Sequence, residues 1–188
     1  MASALFLLAM TVRAQEAGYL IYKGDQEVGS IRVSRSVSAE HVDYRMTSSA
    51  AIDVVWKQRV RTAMETRYRK GRIHAVHTTV RVNDALRDSS NMVTGSDAAW
   101  CYVHPGSYFQ REGDSDWTTA RMYYEEPVDQ DTIFVESVLQ DCPLVRTGPS
   151  RYTLTMPNNN RNHYIYRGGV LHEVQVDRSL IDLVFRRM

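Results

Sequence analysis

The chain has very little to staple it. Two of its 188 residues are Cys, which excludes a disulfide-dense miniature scaffold. Neither sign of charge dominates, with 23 Lys and Arg against 22 Asp and Glu and a net charge of +1. That balance excludes broad electrostatic binding of nucleic acid, which needs a basic face. No segment approaches the roughly 18 consecutive apolar residues of a membrane-crossing helix, and there is no low-complexity tract, fixed-period repeat or long amphipathic helix. A Gly-rich phosphate loop and a G-x-S-x-G nucleophile elbow are both missing. No cofactor or metal is called for by any motif.

What is there favours strands. Val, Ile, Thr, Tyr, Phe and Trp make up 59 of the 188 residues, and these types suit a pleated, half-buried surface. At this length a domain hides roughly 70% of its unfolded surface, enough for one core. Beyond Gln15 the pattern alternates with period 2, so successive side chains fall on opposite faces. Gly24-Asp25, Lys70-Gly71, Asn83-Asp84 and Gly168-Gly169 supply hairpin chemistry between such runs. The clearest run is Trp56 to Arg69. Trp56, Gln58, Val60, Thr62, Met64, Thr66 and Tyr68 share one face, while Lys57, Arg59, Arg61, Arg67 and Arg69 mark the other. Fourteen residues is long for a strand, so it should bend. Near the end, Val170, His172, Val174 and Val176 alternate with Leu171, Glu173, Gln175 and Asp177. Tight turns between consecutive strands require antiparallel pairing. The expectation is an all-β, single antiparallel meander forming a strongly curved sheet, half-barrel or barrel.

The first residues read as an address. Met1 to Met10 is an uncharged, mostly apolar run, and Val12-Arg13-Ala14 follows with small-residue spacing at 12 and 14. This is the pattern of a secretory signal cleaved after Ala14, although no Lys or Arg lies near Met1. The expected organisation is a signal over residues 1–14 and a single β-rich domain over 15–188. The expected location is the periplasm or cell envelope of a Gram-negative bacterium.

Candidate chemistry is sparse. In an oxidising compartment Cys101 and Cys142 could form a disulfide; two separately buried thiols are the alternative. His172-Glu173 lacks the second His of a zinc-protease helix, since Val176 stands there, and His74 and His77 face opposite ways on a strand. Asp114, Asp116, Asp129 and Asp131 lack the ligand order of a calcium loop. Tyr123-Tyr124-Glu125-Glu126-Pro127 offers paired carboxylates for acid–base chemistry; a strand end whose carboxylates pair with Arg is the plainer reading. The basic stripe on the long strand fits an anionic headgroup or polysaccharide, or simply a solvated outer face balanced by acids on neighbouring strands. Trp56, Met64 and Tyr68 lie opposite that stripe among Gln58, Thr62 and Thr66. Mixed lining of that kind suits a ligand cavity, so these three are the candidate ligand-binding residues.

Several strings together resemble an uncharacterised family of exported bacterial proteins classed as a domain of unknown function. They are Arg121-Met-Tyr-Tyr-Glu-Glu-Pro127, Phe134-Val-Glu-Ser137, Tyr152-x-Leu-x-x-Pro157, Asn162-x-Tyr-x-Tyr-x-x-Gly169, and Val174-x-Val-Asp177 through Ile181-x-x-Val-Phe-Arg186. The resemblance implies an envelope-associated β-protein and supplies no catalytic residues. Three functions are compatible with the chain. The leading one is an exported non-catalytic β-module that binds an apolar or envelope ligand, or scaffolds envelope proteins. The others are a lipid or lipoprotein carrier with an open half-barrel, and a hydrolase using Glu125 or Glu126. If the signal reading is right, intact-mass analysis of protein recovered from its native host should give Gln15 as the N-terminus; retention of residues 1–14 would exclude the cleavage.

Overall fold

The computed structural model describes residues 13–53, 56–113, 115–178 and 181–188. Most of the expected signal segment and Asp114 lie outside these residues. Eight strands come first: β1 (Arg13–Lys23), β2 (Gln26–Val37), β3 (His41–Asp53), β4 (Lys57–Arg69), β5 (Arg72–Val82), β6 (Ala85–Thr94), β7 (Ala99–Val103) and β8 (Ser107–Arg111). A one-turn helix, α1 (Thr119–Met122), intervenes. Six strands follow: β9 (Thr132–Val135), β10 (Gln140–Gly148), β11 (Arg151–Thr155), β12 (Arg161–Arg167), β13 (Val170–Asp177) and β14 (Leu183–Arg187). All fourteen belong to one sheet in the order β8-β7-β6-β5-β4-β3-β2-β1-β14-β13-β12-β11-β10-β9.

The expected antiparallel meander is therefore present, rolled but not closed. Every consecutive pair of strands is hydrogen-bonded except β8 and β9. Pairing of β1 with β14, with Tyr19 opposite Arg187, joins the two halves through the ends of the chain.

Local chemistry sets the hairpins. Lys70-Gly71, Asn83-Asp84 and Gly168-Gly169 all have two consecutive positive φ values, the backbone of a type I′ turn, whose twist matches that of paired strands. Close to four turns the returning strand carries one extra residue: Val28, His74, Arg87 and His172. Such bulges bend a sheet and increase its twist. They also reset the alternation. Leu171 is fully buried and Val170 is 46% exposed, because the bulge at His172 puts Leu171 in phase with Val174. The uninterrupted period-2 reading of β13 is corrected at that point. At Gly29 the strands β2 and β3 approach so closely that an added Cβ would lie 2.1 Å from the Ser49 carbonyl oxygen.

A rolled sheet of fourteen strands encloses more space than its own side chains fill; about eight strands is the size at which they do. Here the chain between β8 and β10 turns inward and fills it. β9 has both faces buried: Ile133 and Val135 join one core cluster, with Tyr19, Ile31, Tyr152 and Leu154. Phe134 joins the other, with Tyr44, Met64, Tyr68 and Met92. In α1, Met122 faces the first cluster and Ala120 the second. The segment divides the interior in two.

A carboxylate pins this divider. Glu136 is fully buried and its Oε1 accepts from the Ala120 N–H at 2.9 Å and the Thr66 hydroxyl of β4 at 3.2 Å. Its Oε2 accepts from the Thr119 N–H at 3.2 Å and from the Thr119 hydroxyl. The Thr118 hydroxyl caps the Arg121 N–H and accepts from the Tyr68 hydroxyl at 2.9 Å. The orphan donors of the helix start are thus met by side chains. The Ser90 hydroxyl of β6 donates to the Glu136 carbonyl at 2.5 Å. Burial pushes the Glu136 carboxyl above its ordinary value of 4.5, against the opposing pull of these donors.

Glu136→Ala would leave two buried backbone N–H groups without acceptors, at about 1–3 kcal/mol each. It should lower stability in urea by about 3 kcal/mol or more. With a raised folded pKa, the native state above pH 4.5 holds a proton that the unfolded chain has lost, so this group's contribution falls as pH rises. The stability of the wild type relative to Glu136→Gln should therefore decrease on going up from that pH in paired melts.

Candidate functional site

Filling by the divider is incomplete. Between β1–β5 on one wall and β12–β14 on the other, a cavity of about 230 Å³ remains, floored by Thr119, Tyr123, Val135 and Ser137. Its apolar lining includes Ile21, Met46, Met64, Met156 and Phe185. The polar lining is hydroxyls from Ser48, Thr62 and Thr78, and a cluster at one side formed by Asn162, Tyr164 and Arg178. Among the described residues no Asp or Glu lines it, and Arg178 supplies the only formal charge.

The strands place these groups by parity. Ser48 and Thr62 are directly opposed across β3 and β4, and Met46 opposes Met64. On the far wall Asn162 of β12 opposes Val176 of β13, and Tyr164 opposes Val174. Arg178 follows the last residue of β13, half-buried. Its Nη1 donates to the Asp177 carbonyl at 2.8 Å, the Asn162 side-chain oxygen at 3.0 Å and the Arg161 carbonyl at 3.5 Å. Burial lowers its pKa below the ordinary arginine value, the direction expected when a cation loses water. Burial likewise pushes the Tyr164 hydroxyl up to about 12, so it stays neutral and can donate. Unbranched Met side chains adapt to varied apolar shapes, and three of them surround this space.

Of the three residues expected to bind a ligand, only Met64 lines the cavity. Tyr68 is buried with it on the inner face of β4, but packs edge-on against Tyr44 with ring centroids 5.5 Å apart and is tied to Thr118. Trp56 is 64% exposed. It sits before the first paired residue of β4, where the alternation that carries Val60, Met64 and Tyr68 inward no longer applies. The interior assignment of Trp56 is corrected.

The remaining candidates resolve as follows. Cys101 and Cys142 are both buried and unbonded, on β7 and β10 in different core clusters. Burial raises both thiol pKa values. Tyr123-Tyr124-Glu125-Glu126-Pro127 is the exit from α1 rather than a strand end. Glu125 pairs with Arg35 at 3.1 Å and with Arg121 at 2.7 Å, and Glu126 accepts from the Tyr152 hydroxyl at 2.9 Å. Among the described residues no His contacts either carboxylate. His74 and His172 are bulge residues, and no His, Cys, Asp and Glu cluster fit for a metal occurs among the described residues. On the outer face of β4, Arg61 pairs with Asp84 at 2.8 Å and Arg67 with Asp43 at 2.7 Å, the solvated and balanced surface described above.

Glu136, Asn162 and Arg178 escaped the sequence reading. A signal existed for the first: Ile133-Phe-Val-Glu136 does not alternate, which marks a strand covered on both faces, and a carboxylate there must find donors. Arg178 carries no such signal.

The parity of β4 gives a direct test. Met64→Arg buries an unpaired charge at the cavity wall and should lower the melting temperature sharply or prevent folding. Arg61→Glu loses one exposed ion pair, worth about 0–1 kcal/mol, and should melt within a few degrees of the wild type. Equal tolerance at both positions would reverse the assignment of faces.

No curated protein matches the chain. Among solved structures it is similar to a β-barrel-like protein of a domain of unknown function, DUF1849, from Brucella abortus. The TM-score is 0.60 at 11% identity, over 96% of this chain and 98% of that one. At that identity the likeness shows the fold alone. A domain of unknown function, DUF6134, matches residues 19–188, which include every residue that lines the cavity. The chain belongs to the DUF6134 family.

Proposed function

We propose that this protein is an exported, non-catalytic β-module that holds a small apolar or amphipathic envelope ligand inside its rolled sheet. The observation that carries this reading is the cavity of about 230 Å³, more apolar than polar in its wall, with separate hydroxyls and one polar cluster of Asn162, Tyr164 and Arg178. Ligand sites are built this way: apolar surface provides affinity and a few polar groups fix orientation. A lipoprotein carrier would need an open apolar concave face, and the α1–β9 segment occupies most of that space. Hydrolysis by Glu125 or Glu126 is disfavoured by the Arg and Tyr partners that already engage both carboxylates.

The reading is tested with a small apolar fluorescent reporter matched to the cavity volume, 1-naphthylamine, at a pH where its amine is neutral. Wild-type protein should enhance its emission saturably. Thr62→Phe projects a ring into the cavity and should abolish the enhancement while keeping a cooperative melt. Enhancement of equal size in the folded variant would place the binding elsewhere.

A further inference from the structure

We infer that the cavity is built for a short-chain fatty carboxylate, with its carboxylate on Arg178 and its chain among Met46, Met64 and Met156; this rests on the ligand-binding reading above. Charge comes first. Among the described residues Arg178 is the single charged group in the lining and its guanidinium forms no ion pair. Two carboxylates lie nearby, Asp177, which His163 engages at 2.9 Å, and Asp182, which accepts from the Arg178 backbone N–H at 3.3 Å; neither sits on the guanidinium. A guanidinium half removed from water with no carboxylate on it attracts an anion and repels a cation.

Geometry comes second. The three side-chain hydrogen bonds of Arg178 within the protein all use Nη1 and all go to neutral oxygens, while its backbone N–H donates to the Asp182 carboxylate at 3.3 Å. Among the described residues Nε and Nη2 have no acceptor. Those two N–H groups form the side edge of the guanidinium, whose parallel donors match the two oxygens of a carboxylate. Holding Nη1 in place orients that edge before a ligand arrives.

Size comes third. At the roughly 30 Å³ that one water-sized group occupies in a liquid, 230 Å³ takes about eight such groups. That is the eight-carbon chain of octanoate with its two carboxylate oxygens at the edge on half-exposed Arg178, and too little for a two-chain lipid.

Isothermal titration calorimetry of the wild type with octanoate, methyl octanoate, octylamine and octyl phosphate tests the assignment without any substitution. Octanoate should bind at least about tenfold more tightly than its methyl ester, since a hydrogen-bonded charge is gained, and octylamine should not bind. Arg178→Gln should bring octanoate down to the level of the ester and leave the ester unchanged, and Arg178→Lys should recover only part of the difference. Equal binding of octanoate and ester, or retention of octanoate by a folded Arg178→Gln variant, would overturn the anion site while leaving an apolar cavity standing. Tighter binding of octyl phosphate than octanoate would overturn the carboxylate in favour of a phosphate headgroup. If neither octanoate nor the ester binds, both this assignment and the ligand-binding function fall.

Discussion

The arrangement depends on how a buried carboxylate is satisfied. Glu136 is fully buried, among the described residues no cation pairs with it, and it survives in the interior because backbone and hydroxyl donors from α1 and β4 converge on it. An isolated carboxylate in such a place would cost far more than a domain's net stability. Those donors come from segments far apart in the chain, with Thr66 and Glu136 separated by 70 residues. Satisfying one side chain therefore fixes the helix start, the inner face of β4 and the end of β9 relative to one another.

That fixed point explains why the sheet rolls without closing. The strand order runs consecutively round the molecule and fails at a single place, between β8 and β9. There the chain leaves the wall and enters the interior. The gap is not left to solvent alone: Arg111 at the end of β8 reaches Asp141 of β10 at 2.5 Å and stacks over the Phe134 ring at 4.9 Å. An edge strand invites pairing with other chains, and tying one edge to the turned-in β9–β10 arm limits that exposure. The same inward turn creates the cavity, because a flat segment laid across a round interior fills its middle better than its end.

The cavity wall obeys the alternation of the strands, yet its chemistry comes from the place where alternation stops. Met46, Met64 and Val176 point inward because their neighbours point out. Arg178 lies one residue beyond the end of β13, where the chain leaves the sheet, and its stem can fold back over the apolar wall while its head stays near the mouth. Polar atoms at that position cost little, since the group is only half removed from water.

By itself the sequence determined the antiparallel meander, the long alternating strands with the tight turns between them, and the inner face of β4. Those properties depend on residues one or two positions apart: parity along a pleat, and positive φ at Gly and Asn in two-residue turns. Tertiary structure decided the rest. Whether Trp56 faced in or out depended on where pairing of β4 with β3 begins, and the phase of β13 depended on a bulge in its pairing with β12. The position of β9 inside the wall, the unbonded state of Cys101 and Cys142, and the meeting of Asn162, Tyr164 and Arg178 across from Met64 were set by how far the sheet rolled before its interior was full. That balance of enclosed volume against side-chain volume is summed over the entire chain, and no short window of sequence contains it.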